Sequence, residues 1–256
     1  QTVKENNHQK FVELTKPRLL IAGHDLKFIA DAVPELSQFF VIRFDEWTGH
    51  AFHDEKKSRK CLDWAEYIWC EWLLGNAEWY AANKKPTQKL VVRMHRMELA
   101  RNHGEVFNVD AVDAVIAVSP FFLERMLERF PNIPRYKARL IYNYVRASDY
   151  EVSTSSEKLH TLGMIGILPS KKGFKDALFV LNELRKKDSR FRLKVFGKKP
   201  SDLHWIKRDP QQMAYYKECE EFIVGNGLSN CVEFLGVVDI KKALAKHNVG
   251  YVLSMS

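Results

Sequence analysis

Short apolar runs alternate with longer amphipathic stretches from Pro17 onwards. The short runs have the length of buried strands, and the longer stretches have apolar residues at helical spacing. The pattern predicts strands at Arg18–Ala22, Gln38–Phe44, Tyr67–Cys70, Lys89–Met94, Asp113–Val118, Arg139–Tyr142, Leu162–Ile165, Arg190–Phe196, Val232–Leu235 and Val249–Leu253.

Helices are predicted between these strands. The first is broken late by Pro34, and the helix after Ser119 has Pro120 in its first turn, where proline is tolerated. The predicted helices are Lys27–Leu36, Asp54–Trp64, Gly75–Asn83, the segment from Pro120, Gly173–Lys187, Gln212–Asn226 and Ile240–His247. Strands that alternate with helices predict parallel sheets covered on both faces.

A polar stretch at 146–160 interrupts the alternation and predicts a linker. We therefore divide the chain into a polar lead-in at 1–16, an N-terminal domain at 17–150 and a second domain at 151–256. The predicted fold class is α/β, with two Rossmann-like domains that face each other across a cleft. In open α/β sheets ligands bind outside the carboxyl ends of the strands, so residues there are the candidates for function.

The second domain carries a phosphate-binding pattern. Gly166 follows a strand, Lys171 and Lys172 come next, and Gly173 opens a helix. Glycine allows close backbone approach, a helix amino end presents free N–H groups, and lysine adds a cation. A second such loop holds Gly197, Lys198 and Lys199. The alternative is that these lysines lie on solvated loops.

In the first domain, Gly23 and His24 follow one strand, Glu71 ends another, and His95 and Arg96 follow a third. A histidine in this position either faces a ligand or is a core residue satisfied by one hydrogen bond. Arg96 either binds an acidic group or pairs with Glu98. The aromatic residues of 64–80 are expected mostly in the core, with some rings free to stack on a sugar.

The net charge is +8, from 40 basic and 32 acidic residues among 256. Such a balance favours nucleic acid, anionic lipid or phosphorylated small molecules as partners. The basic residues are dispersed and no nucleic-acid motif is present, so nucleic acid is not expected. The stretches Lys56–Lys60 and Arg185–Lys187 either contact a membrane surface or are solvated helix faces. No apolar run reaches the length of a membrane span, and the polar first ten residues predict that there is no secretory signal segment.

The four cysteines form no C-x-x-C pair and have no zinc spacing. Buried thiols in a reducing cytoplasm are the expectation. We therefore predict no metal site and a cytoplasmic protein, with the inner face of the membrane as a further location.

Six segments in order resemble the group 1 glycosyltransferases (family 4), which have the GT-B fold. The segments are VVRMHRMEL, VDAVIAVSPFFLERMLERF, ARLIYNYVRASDY, TLGMIGILPSKKGF, FRLKVFGKKP and NCVEFLGVVDIKKALAKHNVGYVLSMS, and the resemblance covers about residues 17–256.

The resemblance implies a transfer of a sugar from a nucleotide-diphosphate sugar, most simply a UDP-sugar, to a saccharide or lipid-linked acceptor. It implies retention of configuration, no metal and no other cofactor, and a role in polysaccharide or glycoconjugate synthesis. His95 would contact the donor sugar and Lys172 would neutralise the leaving diphosphate. The remaining donor-binding residues would be Gly23, Gly166, Lys171, Gly173, Gly197 and Lys198.

His24, Glu71 and Arg96 are the candidates on the acceptor side. Three departures bear on these expectations. Ile167 and Tyr144 stand where the family has arginine and glycine, and the family's two glutamates are expected beyond Ser256, so we expect the second domain to be incomplete. The competing hypothesis is a non-catalytic module that binds a nucleotide sugar or a glycan.

Overall fold

The structure, a computed structural model, describes residues 16–255. All but the last residue of the predicted lead-in, and Ser256, lie outside the described residues. The chain divides into two compact units between Arg146 and Ala147, within the polar stretch predicted as a linker. Each unit has its own sheet and its own core.

The first unit contains a six-stranded sheet in the order β2-β1-β3-β4-β5-β6, in which every neighbouring pair is parallel. Its strands are β1 (Arg18–Gly23), β2 (Val41–Glu46), β3 (Tyr67–Glu71), β4 (Lys89–Met94), β5 (Ala114–Ala117) and β6 (Ala138–Leu140). Because β1 lies beside β3, and β3 beside β4, the carboxyl ends of these three strands meet at one edge.

Helices connect these strands, and polar side chains cap two of them. Asp54 accepts a hydrogen bond from the Lys57 amide at 3.1 Å, and Ser119 accepts one from the Phe122 amide at 3.2 Å, as expected of N-cap residues. The helices are α1 (Lys27–Ala30), α2 (Val33–Leu36), α3 (Glu55–Trp64), α4 (Gly75–Asn83), α5 (His103–Val106) and α6 (Pro120–Arg129), with 3₁₀ turns at Met97–Ala100, Val109–Ala111 and Arg135–Lys137.

Alternate residues of β1 enter two different apolar clusters. Leu20 and Ala22 join the large core under α3, α4 and α6, whereas Leu19 and Ile21 pack with Ile29 of α1. Successive strand residues point to opposite faces, so a strand buried on both sides is apolar throughout. This explains why β1 reads as a continuous apolar run.

The second unit contains a four-stranded parallel sheet in the order β10-β7-β8-β9. The strands are β7 (Thr161–Ile165), β8 (Arg192–Phe196), β9 (Val232–Gly236) and β10 (Tyr251–Leu253). The helices are α7 (Phe174–Lys187), α8 (His204–Lys207), α9 (Pro210–Gly225) and α10 (Ile240–Lys246), with 3₁₀ turns at Ala147–Asp149, Ser156–His160, Ser170–Lys172 and Pro200–Asp202.

The core of this unit lies on one face of its sheet. Leu162, Leu193 and Val232 of three neighbouring strands pack against apolar side chains of α7 and α9, including Leu178 and Tyr216. Lys194 of β8 points to the opposite face and pairs with Glu233 of β9. The helix pair α7 and α9 therefore fixes the loops that follow β7 and β8.

The α/β class with parallel sheets is confirmed, and several element boundaries differ from the prediction. The helix predicted at Lys27–Leu36 divides into α1 and α2 at Asp31–Ala32, so Pro34 lies in the first turn of α2 instead of breaking a helix. The second strand begins at Val41, because residues 36–40 complete the turn after α2. The stretch 146–160 contains two 3₁₀ turns, and α5 and α8 were not predicted.

Among residues 16–255, no helix is both long enough and apolar enough to cross a membrane.

Candidate functional site

Three glycines lie at the carboxyl ends of β7, β8 and β9. Gly166, Gly197 and Gly236 have φ angles of +73°, +119° and +71°, which residues with a side chain rarely adopt. The amide of Gly166 donates to the Phe196 carbonyl at 2.7 Å, and the amide of Gly197 donates to the Gly236 carbonyl at 2.7 Å. We call these three residues the glycine edge.

The glycine edge leaves its backbone accessible. A side chain added at Gly166 or at Gly236 would meet no atom within 4 Å, and one added at Gly197 would lie 3.4 Å from the Gly166 α-carbon. A ligand can therefore approach the main chain directly where a side chain would otherwise stand. The structure thus brings the candidates Gly166 and Gly197 together, and Gly236 joins them.

The candidate lysines stand beside this edge. Lys171 and Lys172 are exposed in the turn before α7, and Lys198 is exposed in the turn after β8. Within residues 16–255 no carboxylate lies within 4.0 Å of these three ammonium groups, so their charge is not neutralised by an ion pair there. Such lysines favour an anionic ligand.

Gly173 has a different role from the one its sequence position suggests. Its φ is +71°, and an added side chain would lie 2.6 Å from the Met255 β-carbon, so it turns the chain into α7 against a packed neighbour. The Lys175 amide already donates to the Tyr215 hydroxyl at 2.8 Å, and Asp176 lies in the first turn. The amino end of α7 is therefore less available to an anion than the sequence indicates.

Helix α9 holds the lysine turn in place. The Ser170 amide donates to Gln212 Oε1 at 2.8 Å, and Gln212 Nε2 donates to Ser170 Oγ at 2.9 Å. The Tyr216 hydroxyl donates to the Ile167 carbonyl at 2.7 Å. Sequence reasoning missed these positioning residues, because nothing in the pattern of α9 indicates which loop its polar side chains reach.

A pocket of about 620 Å³ adjoins the two loops. Ile167, Phe174, Tyr216 and Phe234 form an apolar wall, and Lys199 contributes an ammonium group 5.2 Å from the centre of the Phe234 ring. Small-molecule sites combine such an apolar surface with a few polar groups. Its size and position suit a ring system attached to an anionic group.

The first unit brings Glu71 and His95 together. Glu71 is fully buried, and His95 is 6% exposed. His95 Nε2 lies 2.7 Å from Glu71 Oε1, and Arg93 donates to both oxygens of the same carboxylate at 2.7–3.1 Å. Burial alone would raise the pKa of Glu71, but the hydrogen bonds from His95 and Arg93 outweigh it and lower that pKa.

Aromatic rings surround His95. The Trp72 and Phe28 ring centres lie 4.4 and 4.6 Å from its own, and the His24 ring lies 5.4 Å from Trp72. Trp72 has a φ of +77°, a rare conformation for a residue with a large side chain, and its indole N–H donates to the Asp25 carbonyl at 2.7 Å. Strained residues of this kind cluster at functional sites, and no pattern in the sequence indicates this one.

Gly23 and His24 belong to the same edge. An added side chain at Gly23 would lie 2.6 Å from the Glu71 carbonyl oxygen, so glycine lets β1 end close against β3. His24 stacks edge-on with His50, with ring centres 4.6 Å apart. Burial, and then the charge of His50, lower the pKa of His24.

Arg96 does not form an ion pair with Glu98, although this pair is one of the two alternatives that the sequence allows for Arg96. Glu98 is fully buried, and its Oε1 accepts the backbone amides of His95 and Leu73 at 3.1 Å each. Arg96 is exposed, and no carboxylate among residues 16–255 lies within 4.0 Å of its guanidinium. Arg96 is therefore available to a ligand, whereas Glu98 orients the main chain. Burial raises the pKa of Glu98.

No group of three or more His, Cys, Asp or Glu residues in the range 16–255 is arranged to hold a metal ion. The four cysteines are buried and unpaired.

Comparison with known proteins shows the fold. No protein-family model matches the chain, and no curated protein sequence matches it. A glycosyltransferase structure from Rickettsia africae matches at a TM-score of 0.59 and 15% identity, over 94% of this chain and 73% of that one. HepE from Anabaena, solved with UDP and glucose, matches at a TM-score of 0.54 and 15% identity, over 88% of this chain and 70% of that one.

Sucrose-phosphate synthase from Thermosynechococcus elongatus matches at a TM-score of 0.57 and 11% identity, over 94% of this chain and 75% of that one. At these identities the likeness defines the fold class: the chain shares its fold with GT-B glycosyltransferases.

Proposed function

We propose that this protein is a glycosyltransferase that uses a nucleotide-diphosphate sugar, preferentially a UDP-sugar, as its donor. The observation that carries the proposal is the glycine edge of the second unit with exposed lysines beside it. Accessible backbone and uncompensated cations together are what a diphosphate requires. The fold is shared with HepE, whose structure holds UDP and glucose.

In this proposal the diphosphate lies against Gly166 and Gly197, and the nucleoside enters the adjoining pocket beside Lys199. Lys171, Lys172 and Lys198 provide the positive charge around the phosphates. Gly173 contributes by setting the direction of the lysine turn. No metal and no additional cofactor is part of the proposal, since the lysines supply the charge that a metal would otherwise supply.

The reaction breaks the bond between the anomeric carbon and the diphosphate oxygen, and forms a bond from that carbon to an acceptor hydroxyl oxygen. The bonding electrons leave with the nucleoside diphosphate, and the acceptor hydroxyl passes its proton to the departing diphosphate oxygen. Negative charge grows on the departing diphosphate, so a fixed ammonium group at Lys172 stabilises the transition state more than the ground state. We propose that the configuration is retained.

We assign acceptor recognition to the carboxyl edge of the first unit. His24 and Arg96 offer polar contacts to a saccharide, free or lipid-linked, and the half-buried ring of Phe28 offers a stacking contact. His95 is the candidate catalytic residue of this unit, and Glu71 holds its ring. Buried free thiols support a cytoplasmic location, where peripheral membrane contact would give access to a lipid-linked acceptor.

One observation favours the competing hypothesis of a non-catalytic binding module. Ile167, which stands where the resembling family has arginine, is buried in the apolar wall and contributes no charge. Binding and transfer therefore have to be measured separately.

The test is calorimetric titration of the protein with UDP, GDP and ADP, followed by an assay for UDP release from UDP-sugars with oligosaccharide acceptors. Saturable UDP binding with acceptor-dependent release of UDP is expected. Saturable binding without release would favour a module that only binds the nucleotide sugar, and no binding of any nucleoside diphosphate would contradict both the transferase and that module.

A further inference from the structure

A second pocket, of about 560 Å³, lies at the amino edge of the sheet in the second unit, opposite the glycine edge. Three separate segments enclose it: the turn Ser156–His160, the beginning of β8 and the end of α10. One lining residue is acidic, Glu157, and six are basic: His160, Arg190, Arg192, Lys194, Lys246 and His247.

Part of this positive charge is compensated internally. Arg190 pairs with Asp188 at 2.6 Å, and Lys194 forms an ion pair with Glu233. The single acidic lining residue, Glu157, accepts a 2.8 Å hydrogen bond from the Asn248 amide group. These contacts hold the walls of the pocket in place and pair Asp188 and Glu233, whereas Glu157 keeps its negative charge.

Two cations at the pocket have no such pair. Arg192 and Lys246 are both exposed, and no carboxylate among residues 16–255 lies within 4.0 Å of either charged group. They come from different elements, the first residue of β8 and the last residue of α10. The fold therefore brings Arg192 and Lys246 to one concave surface. A run of lysines on the solvated face of a single helix would not form such a surface.

His247 lies in the field of this pocket. Burial lowers its pKa, and the charges of Lys194 and Lys246 lower it further against the opposing effect of Glu233. The next residue, Asn248, adopts a φ of +54°, and its side-chain oxygen accepts a 2.7 Å hydrogen bond from Ser153. The positive potential of the pocket therefore acts on His247, and a hydrogen bond holds the neighbouring part of the pocket wall in place.

We propose that this pocket binds the phosphate group of a phosphorylated small molecule, at a site separate from the glycine edge. Arg192 offers a planar pair of N–H donors that matches phosphate geometry, and Lys246 adds a point charge from a different element. The volume is in the range of small-ligand sites, and the concave shape distinguishes it from the flat basic surface that nucleic acid requires. The proposal does not depend on the glycosyltransferase hypothesis.

The test follows the imidazole NMR signals of His247, assigned with His247→Asn, during titration with inorganic pyrophosphate. This readout is local, because pyrophosphate is also expected to bind at the glycine edge. We expect saturable shifts of the His247 signals and a rise of its pKa. Arg192→Gln and Lys246→Gln each remove one charge-assisted hydrogen bond. Each should therefore lower the pyrophosphate affinity measured from the His247 shifts by about tenfold or more.

Lys242→Gln, an exposed lysine of α10 that does not line the pocket, is the matched control and should leave the response unchanged. Lys171→Gln should also leave it unchanged. A parallel arm uses phosphatidylcholine vesicles with and without phosphatidic acid. The His247 signals could respond to vesicles with phosphatidic acid but not to pyrophosphate, and Arg192→Gln could lose that response. This result would identify a lipid headgroup as the source of the phosphate. His247 signals that ignore both probes, or that respond in Arg192→Gln and Lys246→Gln as strongly as in the parent protein, would overturn the proposal.

Discussion

Glu71 and His95 are 24 residues apart in the chain, and their side chains lie 2.7 Å apart because β3 and β4 are neighbours in the sheet. The carboxylate also accepts hydrogen bonds from the guanidinium of Arg93 and from the indole N–H of Trp69, the latter at 2.9 Å. A buried carboxylate with so many donors holds the imidazole in one orientation. The arrangement resembles the carboxylate–histidine pairs that fix a histidine tautomer in catalytic sites.

Replacing Glu71 with Gln should destabilise the protein strongly. The amide has the same shape but leaves the buried Arg93 without a counter-charge, so we expect the free energy of unfolding in urea to fall by about 3 kcal/mol. Glu128→Gln, which removes an exposed ion pair with Arg125, is the control and should cost less than about 1 kcal/mol. Equal losses in the two variants would contradict the role of Glu71.

The Glu71 pair should also make stability depend on pH. Its pKa in the folded protein is below the ordinary value of 4.5, so its contribution is complete above pH 4.5 and is lost as the pH falls through the lower, folded value. Urea unfolding between pH 3 and pH 6, roughly the span of ordinary carboxyl titration, should show a steeper acid loss for the parent protein than for Glu71→Gln. If stability falls equally with pH in the parent protein and in Glu71→Gln, the protonation of Glu71 is not coupled to folding.

Gly166→Ala and Gly227→Ala separate backbone strain from ligand binding. Both glycines have a positive φ, +73° and +65°, and neither has an atom within 4 Å of an added side chain. Each alanine should therefore cost about 1 kcal/mol of stability. Only Gly166→Ala should weaken UDP binding in calorimetry, because only there does the new methyl group stand at the glycine edge. A similar affinity loss in Gly227→Ala would indicate a general effect of strain.

Gln212→Ala should weaken UDP binding by releasing the lysine turn. The variant loses two hydrogen bonds to Ser170, each contributing about 1 kcal/mol, and the lysines before α7 then sample more positions. The adjacent Gln211 is exposed, and Gln211→Ala is the matched control. Calorimetry should give a lower affinity for Gln212→Ala alone, and thermal unfolding should show a loss of stability in Gln212→Ala that Gln211→Ala does not share.

Lys172→Gln tests the proposed charge on the leaving diphosphate. If Lys172 stabilises the transition state, its loss should raise the barrier by about 2–4 kcal/mol and reduce turnover by orders of magnitude. Lys187→Gln, at the opposite end of α7, is the control because that lysine is also exposed. Turnover in Lys172→Gln close to that of the control would remove this residue from the mechanism.

The sequence alone determined the strands, most of the helices and the parallel α/β class. It could do so because a strand covered on both faces, such as β1 from Leu19 to Ala22, must be apolar at successive positions, and this pattern is local. It also located Gly166, Gly197 and the lysines, since a glycine directly after a buried strand marks a backbone that turns at the sheet edge. The boundaries near Pro34 were less accurate because two short helices have the same spacing as one.

Only the tertiary structure decided which groups meet. Glu71 joins His95 and Arg93, Gln212 contacts Ser170, which lies 42 positions earlier in the chain, and the basic pocket draws on three distant segments. Strand order and helix packing set these contacts, and neither is encoded in the residues next to any one of them. Local hydrophobic periodicity therefore defines the elements, whereas the long-range packing of those elements defines the chemistry.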